Sequence, residues 1–218
     1  MTHHLKLFHA YTACTRVTLT ALEHVGAVYD DELLDMARGE HRAPEFLAVN
    51  SQGKVPSLLV DGALLTENGA ILRWLDSEYP KAGLFPRTVS DIEYARQTGD
   101  LFWLSSGWHP YARAVKVPSL WTTGDIAPVR ERGTQLVTGV VRQLEQRLAG
   151  QDWWYGSDWS IIDTYLWWAC VNAEIGGFDL SAFGGIADWR ARNEAHPSLV
   201  RALAREQAAL QRKRSEYA

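Results

Sequence analysis

Cysteine is scarce in this sequence. Cys14 and Cys170 are the only two in 218 residues. Two thiols supply neither a disulfide framework nor a cysteine metal cluster, and His3-His4 is too short for a metal-binding tract. A surplus of positive charge is also missing. Lys and Arg number 22 against 26 Asp and Glu, a formal net charge of −4, so there is no basic field of the kind nucleic-acid binding needs. No apolar run approaches the roughly 18 residues of a membrane span. The opening MTHHLKLFHA lacks the basic stretch and long apolar segment of a secretory signal. Internal repeats and low-complexity tracts are absent too. The expectation is a cytoplasmic protein in a reducing setting, with no metal, nucleic acid or membrane as partner.

What is present is an ordinary globular composition, 46% hydrophobic and 22% charged, with an unusual ten tryptophans. Most of these are expected in a core or interface, and some along an apolar pocket. Leu5 to His9 alternates as a half-buried strand does, and residues 14 to 25 carry a helical apolar pattern stopped by Gly26. Val28 to Leu34 reads as a second strand, and Pro44 to Leu47 as a short helix. Right-handed crossover would make the first two strands parallel neighbours.

The stretch from 50 to 79 organises the rest. Ser57 to Val60 and Ala63 to Leu65 read as a hairpin around Asp61-Gly62, a pair that tolerates positive φ. A helix follows, with Ile71, Leu72, Leu75 and Tyr79 on one face and Asn68 as the expected N-cap. Tyr79-Pro80 ends it. Val55-Pro56 precedes the first hairpin strand. In the cis form this bond would turn the Val55 main chain outward, toward an extended peptide. Glu67-Asn68 lies at the helix mouth, where first-turn N–H groups suit a carboxylate. Read without context, the stretch is a hairpin and helix with ordinary turn chemistry.

Residues 80 to 90, with two prolines and a glycine, read as a linker, and no convincing strand follows. Residues 91 to 117 give one long helical pattern, bent at Pro110. Val137, Val140, Val141, Leu144 and Leu148 stripe the next helix, bracketed by Gly124 and Gly150. Ser160 and Asp163 match a capping box opening a helix that is apolar nearly all round. Residues 186 to 195 and Ser198 to Leu210 give the last helices. The charged tail from Gln211 is expected to fray, and Arg142, Arg147 and that tail to lie on solvated faces.

Val55-Pro56, the hairpin and Glu67-Asn68 together resemble the glutathione-binding half of cytosolic glutathione transferases. Gly156 to Asp163 independently resembles a folding motif of that family's helical domain, which extends the likeness from residue 5 to about 210. The resemblance implies a thioredoxin-like α/β domain (1–80), a linker (81–90) and an all-α domain (91–218) that contributes an apolar substrate pocket. It implies glutathione as co-substrate, a small electrophile as second substrate and a homodimer. Val55 would hold the cysteinyl part through its main chain. Glu67 and Asn68, where the family usually has Glu-Ser, would hold the γ-glutamyl end, Glu67 facing the α-ammonium group. His41, Gln52 and Lys54 are candidates for the glycyl carboxylate, each a donor to an anion.

Tyr11-Thr12-Ala13-Cys14-Thr15 joins the first strand to the first helix, where N–H groups favour a thiolate. Two functional readings stand for this place. Cys14 is the sulfur partner, as in the beta-class enzymes it resembles, although the Pro-Gly common before that cysteine is absent. Alternatively, the hydroxyl of Thr12 or Tyr11 donates to the glutathione thiolate. A small buried cysteine at a helix start is the bland reading. His109 matches a histidine that beta-class enzymes direct at the sulfur, against the alternative of a solvated histidine at a helix end. Trp103, Trp108, Tyr111 and Trp121 are candidates for the apolar pocket, or for core. The leading expectation is conjugation of glutathione to electrophiles. Glutathione-dependent disulfide or peroxide reduction through Cys14, and a non-catalytic binding protein of the same fold, are the alternatives.

Overall fold

A computed structural model describes residues 3–217. The chain forms two compact units, one running through Leu84 and taken up again from His196, the other Phe85–Ala195. In the first, β1 (Leu5–His9) leads to α1 (Thr15–Val25) and β2 (Tyr29–Leu33). A short α2 (Pro44–Val49) precedes the hairpin of β3 (Ser57–Val60) and β4 (Ala63–Thr66), and α3 (Asn68–Glu78) follows. The strand order is β2-β1-β3-β4. β1 pairs parallel with β2 and antiparallel with β3, in a register that sets Leu7 beside Leu58. This is the expected thioredoxin-like layer.

Local chemistry explains the turns. Asp61 and Gly62 have φ of 50° and 85°, the paired positive values of the hairpin turn whose twist matches its strands. Gly26 closes α1 in the left-handed conformation. Ile71, Leu72 and Leu75 of α3 are fully buried, each stabilising by about 1.5–3 kcal/mol through the apolar area removed from water. The second strand starts one residue later than expected, because Val28 is left almost fully exposed.

The second unit is helical: α4 (Asp91–Trp103), α5 (His109–Lys116), α6 (Ala127–Leu148), α7 (Ile161–Ile175) and α8 (Ala187–Glu194). The irregularity expected at Pro110 falls just before it. Leu104–Trp108 winds as a π-helical turn between α4 and α5, since proline brings no N–H to the α-helical ladder. The predicted α6 stripe is buried throughout. Arg147 stays exposed, as expected, while its guanidinium lies over the Trp154 ring and donates to the Trp154 carbonyl.

The last helix, α9 (Pro197–Ser215), differs most from expectation. It packs on α1 and β2, so the segment from His196 groups with the first unit instead of with residues 91–195. Its end does not fray at Gln211. Arg212 reaches Asp31 at 2.8 Å and Lys213 reaches Glu40 at 3.0 Å, and the Tyr217 hydroxyl donates to Glu40. The residues read as a solvated basic tail are an anchoring segment with carboxylate partners.

Asp163 carries the start of α7. Its buried carboxylate accepts from the Ser160 N–H and hydroxyl, the Trp154 N–H and the Trp189 indole, at 2.8–3.1 Å. Asp163→Ala would leave those buried donors unmet, and should cost about 3–5 kcal/mol. Equilibrium urea unfolding checks this. A fall in midpoint at unchanged slope is expected, and a loss under about 1 kcal/mol would contradict the account.

Candidate functional site

The junction of β1 and α1 is tightly made. The Thr15 hydroxyl donates to the Ala10 carbonyl at 3.1 Å and accepts from the Ala10 N–H at 3.4 Å. Between them Thr12 takes a φ of 59°. For a β-branched residue that conformation costs on the order of 1–3 kcal/mol, and it persists only where surrounding contacts hold it. One such contact is visible. The Thr12 N–H donates to the Glu206 carboxylate at 3.0 Å.

Cys14 stands at the N-cap position of α1. Its thiol donates to the Val55 carbonyl at 3.7 Å. The Val55 side chain packs against Phe8, Leu34 and Phe46, and the Val55-Pro56 peptide is cis. A helix start, a thiol and the main chain of Val55 therefore meet in one place. Neither Cys14 nor Cys170 forms a disulfide. Cys170 is buried in α7, and burial pushes its thiol up to about 12, which makes it inert at neutral pH.

The loop before β3 is stapled by Asn50. Its amide nitrogen donates to the Lys54 carbonyl and the Ser57 hydroxyl, and its amide oxygen accepts from the Gln52 N–H. Gly53, at φ 61°, comes so close to the His41 carbonyl that a Cβ would sit 2.8 Å from that oxygen. This contact needs glycine, and it brings the 52–54 turn against His41. Gln52 and Lys54 expose their side chains. His41 lies in a 3₁₀ turn over Glu40–Arg42, and its Nδ1 is buried with no hydrogen-bond partner among the described residues.

At the mouth of α3, the expected N-cap is corrected. Glu67 occupies the cap position at φ 67°, and Asn68 is the first helical residue. The Asn68 side chain is buried. Its oxygen accepts from the Thr18 hydroxyl at 2.6 Å, and its nitrogen donates to the Cys14 carbonyl at 3.1 Å. That side chain is committed inward, to α1. The helix has no side-chain cap, the arrangement in which first-turn N–H groups face an incoming anion. Glu67 is exposed beside them.

In the second unit, His109 is not a solvated helix-end residue. Its ring meets Trp168 edge-on at 4.5 Å, and its Nδ1 lies 3.3 Å from the Tyr165 hydroxyl. Burial, and then the Arg113 cation, push its pKa down to about 3. At neutral pH it is an uncharged imidazole. Trp108 is fully buried and Trp103 stacks on Trp154, whereas Trp121 is exposed. Trp103 and Trp108 are therefore occupied with packing.

Residues 3–77 match the family described as "Glutathione S-transferase, N-terminal domain". The maleylacetoacetate isomerase of Pseudomonas aeruginosa is 32% identical over 204 residues, 91% of this chain and 95% of that protein. The chain belongs to the glutathione S-transferase family. Among solved structures, the beta-class glutathione S-transferase of Sphingomonas chungbukensis superposes with a TM-score of 0.80 at 30% identity, covering 92% of this chain and 98% of that one. A sphingomonad glutathione S-transferase complexed with glutathione gives 0.81 at 29%, covering 93% and 98%.

Within this glutathione S-transferase fold, the Cys14 thiol reaches the Val55 carbonyl from the loop that also carries Thr12, and His41 meets the turn carrying Gln52 and Lys54. Three residues escaped sequence reasoning. Asn50 opens Asn-Ser-Gln-Gly, an Asx-turn pattern that could have revealed it. Thr18 and Glu206 had no local signal, since their partners are Asn68 and Thr12.

His109 yields a test. An unfolded histidine titrates near 6.5, so between about pH 3 and 6.5 the unfolded chain binds the extra proton. The stability from neutral His109 is complete above about 6.5 and is lost as pH falls toward 3, by at most about 1.4 kcal/mol per unit. His24 and His196, also pushed down by burial, add to the same slope. His109→Gln should flatten it in part. NMR of the His109 ring should show no protonation between pH 5 and 8, and a midpoint near 6.5 would contradict the burial argument.

Proposed function

We propose that this protein binds glutathione and conjugates its thiolate to small, largely apolar electrophiles. The observation that carries the reading is the Cys14 thiol 3.7 Å from the Val55 carbonyl at the start of α1. An extended tripeptide pairing with the main chain of Val55 brings its own sulfur to that helix start. Its α-ammonium would face Glu67 and its α-carboxylate the first turn of α3. The glycyl carboxylate would face His41, Gln52 or Lys54.

The chemistry is activation by position. Partial positive charge at the α1 start favours thiolate over thiol, by about 0.3–2 kcal/mol for such a half-buried site. The Thr12 hydroxyl or the Cys14 thiol supplies a further donor. The thiol proton goes to solvent, the sulfur lone pair forms a bond to the electrophilic carbon, and the leaving group departs with its bonding pair. A homodimer and a cytoplasmic setting belong to the same proposal.

A second reading rests on the P. aeruginosa relative, which is named for an isomerase. The same thiolate can add reversibly to a conjugated double bond, permit rotation about the resulting single bond, and leave again with glutathione restored. Both readings share one binding site and differ in whether sulfur stays on the product. A third fate, reduction of disulfides through a glutathione–Cys14 mixed disulfide, is the chemistry Cys14 itself would add.

Calorimetry with glutathione, followed by turnover with an activated aryl chloride, with maleylacetoacetate and with a small disulfide, separates these. Conjugation should survive Cys14→Ser and fall at least tenfold in Thr12→Ala if the hydroxyl holds the thiolate. Disulfide reduction should vanish in Cys14→Ser. Absence of heat with glutathione and of turnover in all three assays would end the proposal.

A further inference from the structure

We propose that Glu206 is a positioning residue for the sulfur-bearing loop, acting from the last helix to set Thr12 and Cys14 against Val55. The inference rests on the glutathione reading above for its kinetic consequence, but not for its structural one. Glu206 is 1% exposed, and a carboxylate is rarely so deep unless paired. Its partners all lie at the β1–α1 junction. The Arg16 guanidinium donates through Nε at 3.0 and 3.1 Å and through Nη2 at 2.7 Å, the forked geometry that fixes orientation as well as distance. The same carboxylate takes the Thr12 N–H at 3.0 Å. The two ends of the ion pair are 190 residues apart in sequence.

A tie that only docked α9 would need nothing from Thr12. Docking is secured elsewhere along the helix. Arg205 reaches Asp31 at 2.8 Å and the Tyr29 carbonyl at 2.6 Å, Arg201 reaches the Glu23 carbonyl at 2.8 Å, and Arg212 and Lys213 hold Asp31 and Glu40. Glu206 adds a bond to the backbone of the one non-glycine residue between β1 and α1 that is held at positive φ. The physical consequence is specific. Without the carboxylate, Thr12 relaxes toward negative φ, and the Tyr11–Cys14 segment no longer presents Cys14 to the Val55 carbonyl, or the Thr12 hydroxyl to a bound sulfur. The grip on the two ends of glutathione, assigned to α3 and the 41–54 region, is untouched.

The test compares Glu206→Ala, Glu206→Gln and Arg212→Ala in the full chain. Turnover with glutathione and an activated aryl chloride is one readout. The pH profile of Cys14 alkylation by iodoacetamide is the other, with buried Cys170 silent. Glu206→Ala should lower kcat at least tenfold while the glutathione KM changes less than threefold, and should move the alkylation midpoint by at least half a pH unit. Glu206→Gln keeps an amide oxygen for the Thr12 N–H and should lose about threefold. Arg212→Ala should lower the thermal midpoint yet leave both readouts as in the parent. Equal kcat and unshifted alkylation in both Glu206 variants would overturn the proposal, as would equal shifts in Arg212→Ala. If Glu206→Ala does not fold, the Gln variant decides on the same readouts. If the parent neither binds nor turns over glutathione, the functional reading fails, and the alkylation profile still decides the role of Glu206.

Discussion

One buried carboxamide joins the starts of two helices. Through its side-chain oxygen Asn68 takes the Thr18 hydroxyl of α1, and through its nitrogen it holds the Cys14 carbonyl just before α1. In a low-dielectric interior each such bond stabilises by about 1 kcal/mol net, while losing the partner strands a buried polar group at about 1–3 kcal/mol. The amide is rigid and planar, so it fixes geometry as well as proximity. With the α1 and α3 starts locked together, and Val55 held by the Phe8–Leu34–Phe46 cluster and the Asn50 staple, these elements of the first unit are fixed relative to one another.

The last helix extends that arrangement. Asp31 is nearly buried beside His9, and Arg205 and Arg212 approach it from α9. Burial pushes the Asp31 carboxyl up, and the donors from His9 and Arg205 more than reverse this, so that its pKa lies below the ordinary value. The anion is the stable form, and it keeps the arginines in place at neutral pH. Surface ion pairs of this kind count for little singly. Here the carboxylate is largely removed from water and shared, which makes the arrangement a network and not a set of isolated pairs.

The sequence carried local features well and distant ones poorly. Asp61-Gly62, Gly26 and Ser160–Asp163 could be read because their chemistry closes within a few residues: a positive φ, a left-handed cap, a carboxylate answering a serine three positions back. Thr12, Cys14 and Val55 were legible as a candidate site only through family likeness, since nothing in their spacing says that residues 14 and 55 meet. Asn68 was misread for a related reason. An asparagine before a helix ordinarily caps it, but a tertiary partner, Thr18, drew the side chain inward and left Glu67 at the cap position. The basic tail was misread because its charges resemble a solvated run, and only the fold brings Asp31 and Glu40 beneath them. Assignment of α9 to the first unit was illegible for the same cause.

Charge balance around α1 decides what kind of thiol activation this chain can offer. Arg16, in the first turn, would by itself place a full positive charge beside the helix start. That would oppose the α1 macrodipole and favour any nearby thiolate. The Glu206 carboxylate grips that cation with forked hydrogen bonds, and the pair is close to neutral as seen from outside. What remains at Cys14 is the partial charge of the α1 amides together with directed donors. Such a field is short in range and strongly dependent on angle. A sulfur displaced by an ångström or two loses most of it, whereas attraction to a full cation would fall off slowly. Under the proposed reading, activation would therefore depend on placement more than on charge, in keeping with a strained Thr12, a shared amide at Asn68 and a buried carboxylate at Glu206 that all converge on the same few residues.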